Sequence, residues 1–231
     1  MWQDFFPRLF TTFTENSQML WDGLVMTLIV SFGAFFLGLA IAVILVAMRT
    51  TSGRGPLARF GRWFVMAYVT VFRAIPDAVV LLLLFFVFLA PFGWPVMWIG
   101  IIGLALPDSA FAEETLRASV QSISPDIMNA ARDLGASRGV AMRKVILPIA
   151  FRKAIPDLGN LLILTTRGTA VLGFISIMDL MNTVSTIVSR TMDAMAAYML
   201  LALMYFVVIT LMTIAIKFLE VRVFKVKQTT T

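Results

Sequence analysis

The chain has 231 residues, of which 60% are hydrophobic and only 14% are charged, and its mean hydropathy is +0.91. A typical soluble domain has about 25% charged residues, so the composition indicates an integral membrane protein. Cysteine and histidine are both absent, which excludes disulfides, thiol catalysis, the usual zinc sites and histidine-dependent catalytic triads.

The first residues are rich in aromatic side chains. Trp2, Phe5, Phe6 and Phe10 recur at mixed helical spacing, which predicts a short helix at the membrane interface over residues 1–19. A flexible leader is the alternative. The segment begins with aromatic residues instead of a basic run and has no small-residue cleavage site, so we expect no cleaved signal peptide.

Five apolar segments follow that are long enough to cross a hydrocarbon core, which needs roughly 20 helical residues. A polar patch at 72–77 interrupts the second segment, and a Pro- and Gly-containing turn at 91–95 separates it from the third. A polar, partly helical excursion is predicted at 179–193, before the last span. The predicted spans are residues 20–48, 63–89, the turn to about 116, about 156–178 and 198–218. These spans predict an all-α membrane protein.

A polar and basic stretch, residues 124–159, lies between the third and fourth spans. Ser124 can cap a helix, Pro125 suits the first helical position and Asp126 complements the positive end of the helix dipole. Gly135 can take the left-handed conformation that closes a helix. We therefore predict a helix of about two and a half turns that begins after Ser124 and stops at Gly135.

A second helix is predicted directly after this one. Ser137 can cap its first turn, and Pro148, in the sequence Ile-Leu-Pro, is expected to end it. The two helices together would form a cytoplasmic or extracytoplasmic pair between membrane spans.

The residue spacing in this stretch resembles the EAA signature of ABC importer permeases, although Asn129 stands where that family has its glutamate. In the family, the short helix is the coupling helix, which docks in a groove of the cytoplasmic ATPase. Small alanines allow close approach, and Gly135 allows a sharp turn. The alternative is an ordinary amphipathic connector between spans. The resemblance gives as candidate ATPase-coupling residues Asn129, Ala130, Ala131, Asp133, Gly135, Leu147 and Pro148.

The lysines and arginines are distributed asymmetrically. With five spans, fifteen of the nineteen lie on one side, and only Arg8 and Arg190 lie on the other. The positive-inside rule therefore places the N-terminus outside and the C-terminus in the cytoplasm, and this pattern argues against nucleic acid as the cause of the net charge of +6. The fifteen are Arg49, Arg54, Arg59, Arg62, Arg117, Arg132, Arg138, Arg143, Lys144, Arg152, Lys153, Lys217, Arg222, Lys225 and Lys227.

The two remaining cations fall inside spans. Arg73 lies near the middle of the second span and Arg167 near the middle of the fourth. A guanidinium at the bilayer centre costs ~2.5–3.5 kcal/mol on insertion scales, so each needs an acidic partner or a watery cavity. Asp77 lies one turn beyond Arg73, and further acids lie along the third span. These charges are either structural ion pairs or parts of a polar pathway.

Helix breaks favour the pathway. Breaks predicted at Pro76, Pro107 and Gly168 fit discontinuous helices that line a cavity. An arginine pair and nearby carboxylates would suit a small zwitterionic solute, most simply an amino acid. The candidate pathway residues are Arg73, Asp77, Asp108, Glu114, Arg117 and Arg167.

Four stretches extend the resemblance to the polar amino acid subfamily of these permeases. Glu114 matches the subfamily's glutamate, whereas Glu113 points about 100 degrees away on an ideal helix. Pro107 stands where members often have asparagine, and Gly168 where they often have aspartate. The stretches are 72–76 (similar to FRGTP), 105–117 (ALxLNxxAYxxExxR), 152–160 (LRxALPxxxN) and 166–169 (LKDT).

The resemblance implies a type I ABC importer permease with five transmembrane helices in the bacterial inner membrane. It implies alternating access by two permease subunits, identical or homologous, with two ATPase subunits and an extracytoplasmic solute-binding protein. ATP and Mg²⁺ would bind the ATPases, because this chain has no Walker-type sequence, and it is expected to be neither an enzyme nor a metal or nucleic-acid binder. Residues 1–19 would be the interfacial segment, 20–218 the permease domain with its coupling loop at about 124–150, and 219–231 a basic cytoplasmic tail.

Three alternatives stay open at this point. The first is an ABC importer permease for another small solute, such as an opine or an amino acid derivative. A secondary transporter or channel would lack the coupling helix pair. An intramembrane enzyme is disfavoured because no HExxH, Gly-x-Ser-x-Gly or Gly-x-Gly-Asp sequence is present.

Overall fold

The computed structural model describes residues 5–50 and 55–224, and within these residues the chain forms nine α-helices and no strand. The predicted all-α fold is confirmed. The helices are α1 (Phe5–Thr50), α2 (Pro56–Ala74), α3 (Asp77–Leu83), α4 (Val96–Gln121), α5 (Pro125–Asp133), α6 (Arg138–Ala141), α7 (Leu147–Gly168), α8 (Leu180–Thr191) and α9 (Ala194–Phe224).

Four helical runs are long and apolar enough to cross a membrane, and the bent pair α2–α3 makes a fifth when it is counted as one span. The four are Phe5–Thr50, Val96–Gln121, Arg138–Ile175 and Ala194–Glu220. The number of spans is therefore consistent with the prediction, but the second span is broken. Arg54 and most of the predicted basic tail at 219–231 lie outside the described residues.

The predicted interfacial segment is not a separate helix, because α1 runs from Phe5 to Thr50 without a break. Its polar side chains donate hydrogen bonds to backbone carbonyls of the same helix, so they do not interrupt it. Thr11 Oγ1 donates to Pro7 O over 3.0 Å, and Asn16 Nδ2 donates to Thr12 O over 2.9 Å. The first four residues, which include Trp2, lie outside the described part of the chain.

The predicted interruption of the second span is confirmed at Ile75 and Pro76. The axes of α2 and of the helical run that begins with α3 differ by 107° across this break. Ile75 is extended, with φ −93° and ψ 130°, because the proline ring disfavours the helical conformation in the residue before it. After α3 the chain continues as a π-helical turn (Leu84–Leu89) and a 3-10 turn (Ala90–Phe92).

The predicted break at Pro107 is wrong, because α4 continues through this residue. Polar neighbours occupy the backbone around the proline: Tyr68 Oη donates to Leu106 O over 3.1 Å, and Ser109 Oγ donates to the same oxygen over 2.7 Å. Pro107 has no N–H to donate to Gly103 O, so α4 lacks one helical hydrogen bond here, a loss that membrane helices tolerate when neighbouring helices surround them. Packing on several sides then holds α4 straight enough to stay one helix.

The predicted end of the second helix after the third span, at Pro148, is also wrong. A π-helical turn (Met142–Ile146) joins α6 to α7, and the helical run continues past the proline. The wider π turn relieves the clash that a proline ring makes with the carbonyl four residues earlier, here that of Lys144. At Gly168 the chain changes from α-helix to a 3-10 helix (Thr169–Ile175), but the helical run continues, so the predicted break is only a change of helix type.

Helix α4 lies at the centre of the bundle and packs against α1, α2, α3 and α7. The main apolar cluster includes Val30 of α1, Ile99 and Leu104 of α4, and Leu172 after α7. Gly38 lets α1 approach α4 closely, since a Cβ there would lie 3.0 Å from Ala105 O. The excursion before the last span is largely the helix α8, which packs between α1 and α9.

Candidate functional site

Helix α5 is fixed at its start by its own sequence. Ser124 Oγ accepts a hydrogen bond from the Asp126 backbone N–H over 3.3 Å and donates to Asp126 Oδ2 over 2.9 Å. Pro125 occupies the first helical position, where no backbone donor is needed. The predicted cap is therefore confirmed.

The end of α5 is also as predicted. Gly135 has φ +87°, in the left-handed region that glycine adopts without strain. Its N–H bonds Arg132 O over 2.9 Å, and the N–H of Ala136 bonds Ala131 O over 3.1 Å, so the last turn is closed. Ser137 Oγ then accepts from the Val140 N–H over 3.4 Å and starts α6, which confirms the second cap.

Helices α5 and α6 enclose an open concavity of about 520 Å³. Three of the predicted coupling residues line it: Asn129, Asp133 and Gly135. Ala130 is exposed and Ala131 is half-buried on the same short helix. The structure thus brings together the five predicted coupling residues of the α5 region, and their role in ATPase docking stays a prediction.

Leu147 and Pro148 lie elsewhere. They belong to α7 and line a separate groove against α1 and α4. The predicted coupling residues therefore lie in two places, the exposed region of α5 and the first turn of α7.

Few contacts hold α5 to the bundle. No residue of α5 is buried, and Met128 alone represents it in an apolar cluster with Ile123, Ile146 and Ala150. Lys153 of α7 holds the loop that precedes α5. Its Nζ donates to the Ser122 carbonyl and hydroxyl oxygens over 3.3 and 3.0 Å. The rest of the surface of α5 is accessible.

Sequence reasoning missed two apolar side chains on this surface. Leu134 is 89% exposed directly before Gly135, and Ile127 is 38% exposed in the first turn of α5. The available signal in the sequence was a leucine placed directly before the glycine that ends a polar helix. Exposed apolar groups on a polar helix suit contact with another protein.

A cluster of charges lies where the end of α1 meets α4. Glu113 is fully buried, and both its carboxylate oxygens accept from Arg49 Nη1 over 3.1 and 3.0 Å. This pair joins two helices and is inaccessible to a solute at its acidic end. The sequence predicted Arg49 only as one of the fifteen basic residues on one side of the membrane, because its partner Glu113 is distant in sequence.

Glu114 faces a different direction from Glu113, as its helical position predicted. It pairs with Arg117 one turn further along α4, and Arg117 Nε lies 3.2 Å from a carboxylate oxygen. Arg49 Nη1 lies 3.9 Å from the same carboxylate. The Glu114 and Arg117 side chains are partly exposed, so this pair borders open space.

That space is a cavity of about 520 Å³ between α2 and α4. Arg49, Arg73, Glu114 and Arg117 line it, so three cations and one carboxylate face the same volume. The Arg73 guanidinium carbon lies 5.5 Å from the centre of the Phe111 ring. Among the described residues, no carboxylate lies within ion-pair distance of Arg73, and Glu114 acts on it only at longer range.

The expected pairing of Arg73 with Asp77 does not form. The 107° bend at Pro76 separates the last turn of α2, which carries Arg73, from the first turn of α3, which carries Asp77. Asp108 lies deeper along α4, where its Oδ2 accepts from Thr165 Oγ1 of α7 over 2.6 Å. The role of Thr165 as partner of a pathway candidate was not predicted.

Arg167 faces a second cavity, of about 650 Å³, between α7 and α9. Thr210, Thr213 and Lys217 of α9 share this cavity. The six pathway candidates therefore do not meet in one place: Arg73, Glu114 and Arg117 share one cavity, while Arg167 lies in another. Among residues 5–50 and 55–224, no group of three or more acidic side chains is placed to hold a metal ion.

Comparisons with known proteins agree on one family. A model of the family described as binding-protein-dependent transport system inner membrane component matches residues 55–225. A probable glutamine ABC transporter permease protein of Bacillus subtilis is 36% identical over 222 residues, which cover 91% of this chain and 96% of that protein. A glutamate/aspartate import permease protein of Escherichia coli is 31% identical over 215 residues, which cover 88% and 92%.

A solved structure agrees as well. A chain in the crystal structure of an amino acid ABC transporter with histidines superimposes with a TM-score of 0.83 at 30% identity. The superposition covers 92% of this chain and 98% of that chain.

Proposed function

The chain belongs to the family of binding-protein-dependent transport system inner membrane components, and from this membership we propose that it carries a polar amino acid across the inner membrane as a permease subunit of an ATP-driven importer. The names of two relatives, for glutamine and for glutamate/aspartate, support this substrate class. The residues 20–218 form the permease domain in this proposal.

One observation supports coupling to an ATPase above all others. Helix α5 is capped at both ends by its own sequence, yet none of its residues is buried in the chain. A rigid, exposed helix with Leu134 and Ile127 projecting from it is the form expected of a docking element.

The proposed assembly contains two such permeases, identical or homologous, and two ATPase subunits that bind ATP and Mg²⁺. A binding protein outside the membrane delivers the solute. Closure of the ATPases moves α5. The membrane helices then open the transport pathway alternately to the two sides of the membrane. This chain itself hydrolyses no ATP in the proposal.

The orientation follows from the basic residues. We place the N-terminus outside and α5, α6 and the C-terminus in the cytoplasm. Because the chain has no cysteine, single cysteines test this directly. Ser137→Cys is expected to react only with reagents that reach the cytoplasm, and Thr186→Cys only with reagents outside. Labelling of Ser137→Cys from outside intact cells contradicts the orientation.

The cavity that contains Arg73 is the proposed site for the zwitterion. Arg73 forms no ion pair within the described residues and can meet a substrate carboxylate, while Glu114 can meet the ammonium group. Arg117 holds Glu114 in place on the same helix. Arg167 and Asp108 would contact the solute at other points of its path, Asp108 beside Thr165.

Uptake measurements test the pathway. Glu114→Gln and Arg167→Gln, each reconstituted with the ATPase and the binding protein, are expected to lower uptake about 10–100-fold by loss of a charged hydrogen bond worth about 1.5–3 kcal/mol. Basal ATP hydrolysis and the folded fraction stay unchanged. Glu15→Gln, on the exposed face of α1, is the matched control. Normal uptake in both variants would remove these residues from the pathway.

A further inference from the structure

A groove of about 470 Å³ opens on the surface of the bundle, at the end of α1 that leads to Thr50. Its floor is apolar: α1 contributes Val43, Val46 and Ala47, and α4 contributes Leu116 and Val120. The spacing of these residues places them on one stripe of each helix, so the groove follows the seam between α1 and α4.

The third wall combines apolar and cationic groups. Leu147 and Phe151 of α7 follow Arg143 at intervals of four residues, and Arg152 completes the wall. Both arginines are exposed, and within the described residues neither guanidinium has an ion-pair or hydrogen-bond partner. The groove therefore presents a hydrocarbon surface with two cations along its third wall.

The apolar surface has the dimensions of a lipid chain segment. Val43 to Thr50 spans about 10 Å along α1 at 1.5 Å per residue. Val43 is 50% exposed and Phe151 is 43% exposed, so these side chains face whatever surrounds the bundle at this level. An apolar groove of this length fits an acyl chain better than it fits the polar surface of a soluble subunit.

We propose that this groove binds one anionic phospholipid of the inner leaflet. An acyl chain lies along α1 and α4, Arg143 binds the phosphate, and Arg152, nine residues further along the same helical run, adds a second positive charge beside the lipid. Guanidinium groups bind phosphate oxygens through paired hydrogen bonds, and basic pockets between membrane helices on the cytoplasmic side attract anionic headgroups. The leaflet rests on the orientation proposed above, whereas the chemistry of the groove does not.

The site lies next to the coupling element. Arg143 belongs to the π-helical turn that joins α6 to α7, and Leu147 and Pro148 line the same groove. A lipid bound there would brace the turn between the exposed helix pair and the membrane span. In this proposal, Leu147 and Pro148, which were predicted to couple to the ATPase, contact the lipid instead.

Lipid retention tests the proposal. The full chain, purified with the subunits that accompany it, is equilibrated in nanodiscs of equal parts phosphatidylglycerol and phosphatidylcholine. It is then extracted, and the bound lipids are measured by mass spectrometry. Two arginines near an anionic headgroup give a preference for phosphatidylglycerol on the order of thirtyfold, and Arg143→Gln or Arg152→Gln each lowers it about fivefold.

Two further variants separate the groove from general surface charge. Lys144→Gln removes a neighbouring charge that does not line the groove, and it is expected to keep the full preference. Val43→Trp keeps both arginines but fills the apolar floor, and it is expected to lose the bound lipid. An unchanged preference in the arginine variants or in Val43→Trp, or an equal loss in Lys144→Gln, overturns the proposal.

A second copy of the chain is the competing occupant. Phe151→Cys introduces the single cysteine of the chain, so a disulfide between copies would be unambiguous. Under the lipid proposal, no disulfide-linked dimer forms through this position. Efficient cross-linking in membranes would make the groove an interface between copies and would overturn the proposal.

Discussion

Two polar regions of this bundle are held in place in opposite ways. Between α1 and α4, Arg49 bonds the fully buried Glu113 across 64 residues of sequence. Helix α5 has no buried residue, and Ser124 and Gly135 at its two ends fix it. The first region depends on tertiary packing, whereas the second depends on the order of a few neighbouring residues.

The buried pair should therefore affect the stability of the fold, and the exposed helix should affect binding to another subunit. The buried pair leaves one of its members with no access to a solute or partner, so its main effect is on the fold. The exposed helix contributes little to the bundle and is free to bind another subunit. Substitutions in the two regions should therefore change different measurements.

The largest expected effect is that of Glu113→Gln. It removes the buried carboxylate that accepts both Arg49 hydrogen bonds. Breaking one side of a buried pair costs about 3–5 kcal/mol, and we expect the lower end because Arg49 is partly exposed and keeps Glu114 at 3.9 Å. We expect the free energy of unfolding in detergent to fall by that amount. Unfolding monitored by circular dichroism measures it.

The adjacent residue provides the control. Glu114→Gln removes a carboxylate whose pair with Arg117 is partly exposed, and such pairs contribute about 0–1 kcal/mol. The double variant Glu113→Leu with Arg49→Met is expected to recover most of the lost stability, because no lone charge remains. Equal losses for Glu113→Gln and Glu114→Gln would contradict the distinction between the two carboxylates.

The same distinction explains how far the sequence could predict the fold and the site. The all-α membrane fold and the membership of the ABC importer permeases are confirmed. The caps at Ser124 and Ser137 and the turn at Gly135 were predictable because each depends on residues next to it. The capping residues and the glycine were enough to predict the ends of α5 and the start of α6.

Tertiary context decided what the sequence could not. Pro107 and Pro148 were expected to break helices, yet packing around α4 and the π turn before α7 let both helices continue. Arg49 could not be assigned to Glu113, because nothing local joins the end of α1 to α4. The bend at Pro76 was predictable as a break, but its angle, which separates Arg73 from Asp77, was not.

A smaller effect on stability but a large one on coupling is expected for Gly135→Val. The residue has φ +87°, and a side chain in this region costs roughly 1–2 kcal/mol, so the turn after α5 should rearrange. Ala131→Trp is expected to block close approach at the same helix. Substrate-stimulated ATP hydrolysis and co-purification of the ATPase measure both variants.

Gly139→Val is the matched control for the glycine. Gly139 lies in α6 with a negative φ, and a Cβ there would meet no atom within 4 Å. We expect normal coupling and an unchanged unfolding midpoint in this variant. If Gly135→Val and Ala131→Trp also kept full stimulation of the ATPase, α5 would not be the coupling element.

The smallest expected effect is that of Ser124→Ala, and it is the sharpest test of local control. The variant removes the acceptor for the Asp126 N–H, a cap worth about 1 kcal/mol, so amides of the first turn should exchange with solvent about fivefold faster. Because no α5 residue is buried, the global free energy of unfolding should stay constant, unlike in Glu113→Gln. Ser137→Ala should accelerate exchange only in α6. Unchanged exchange in α5 after Ser124→Ala would mean that contacts such as those of Met128, instead of the cap, hold the helix.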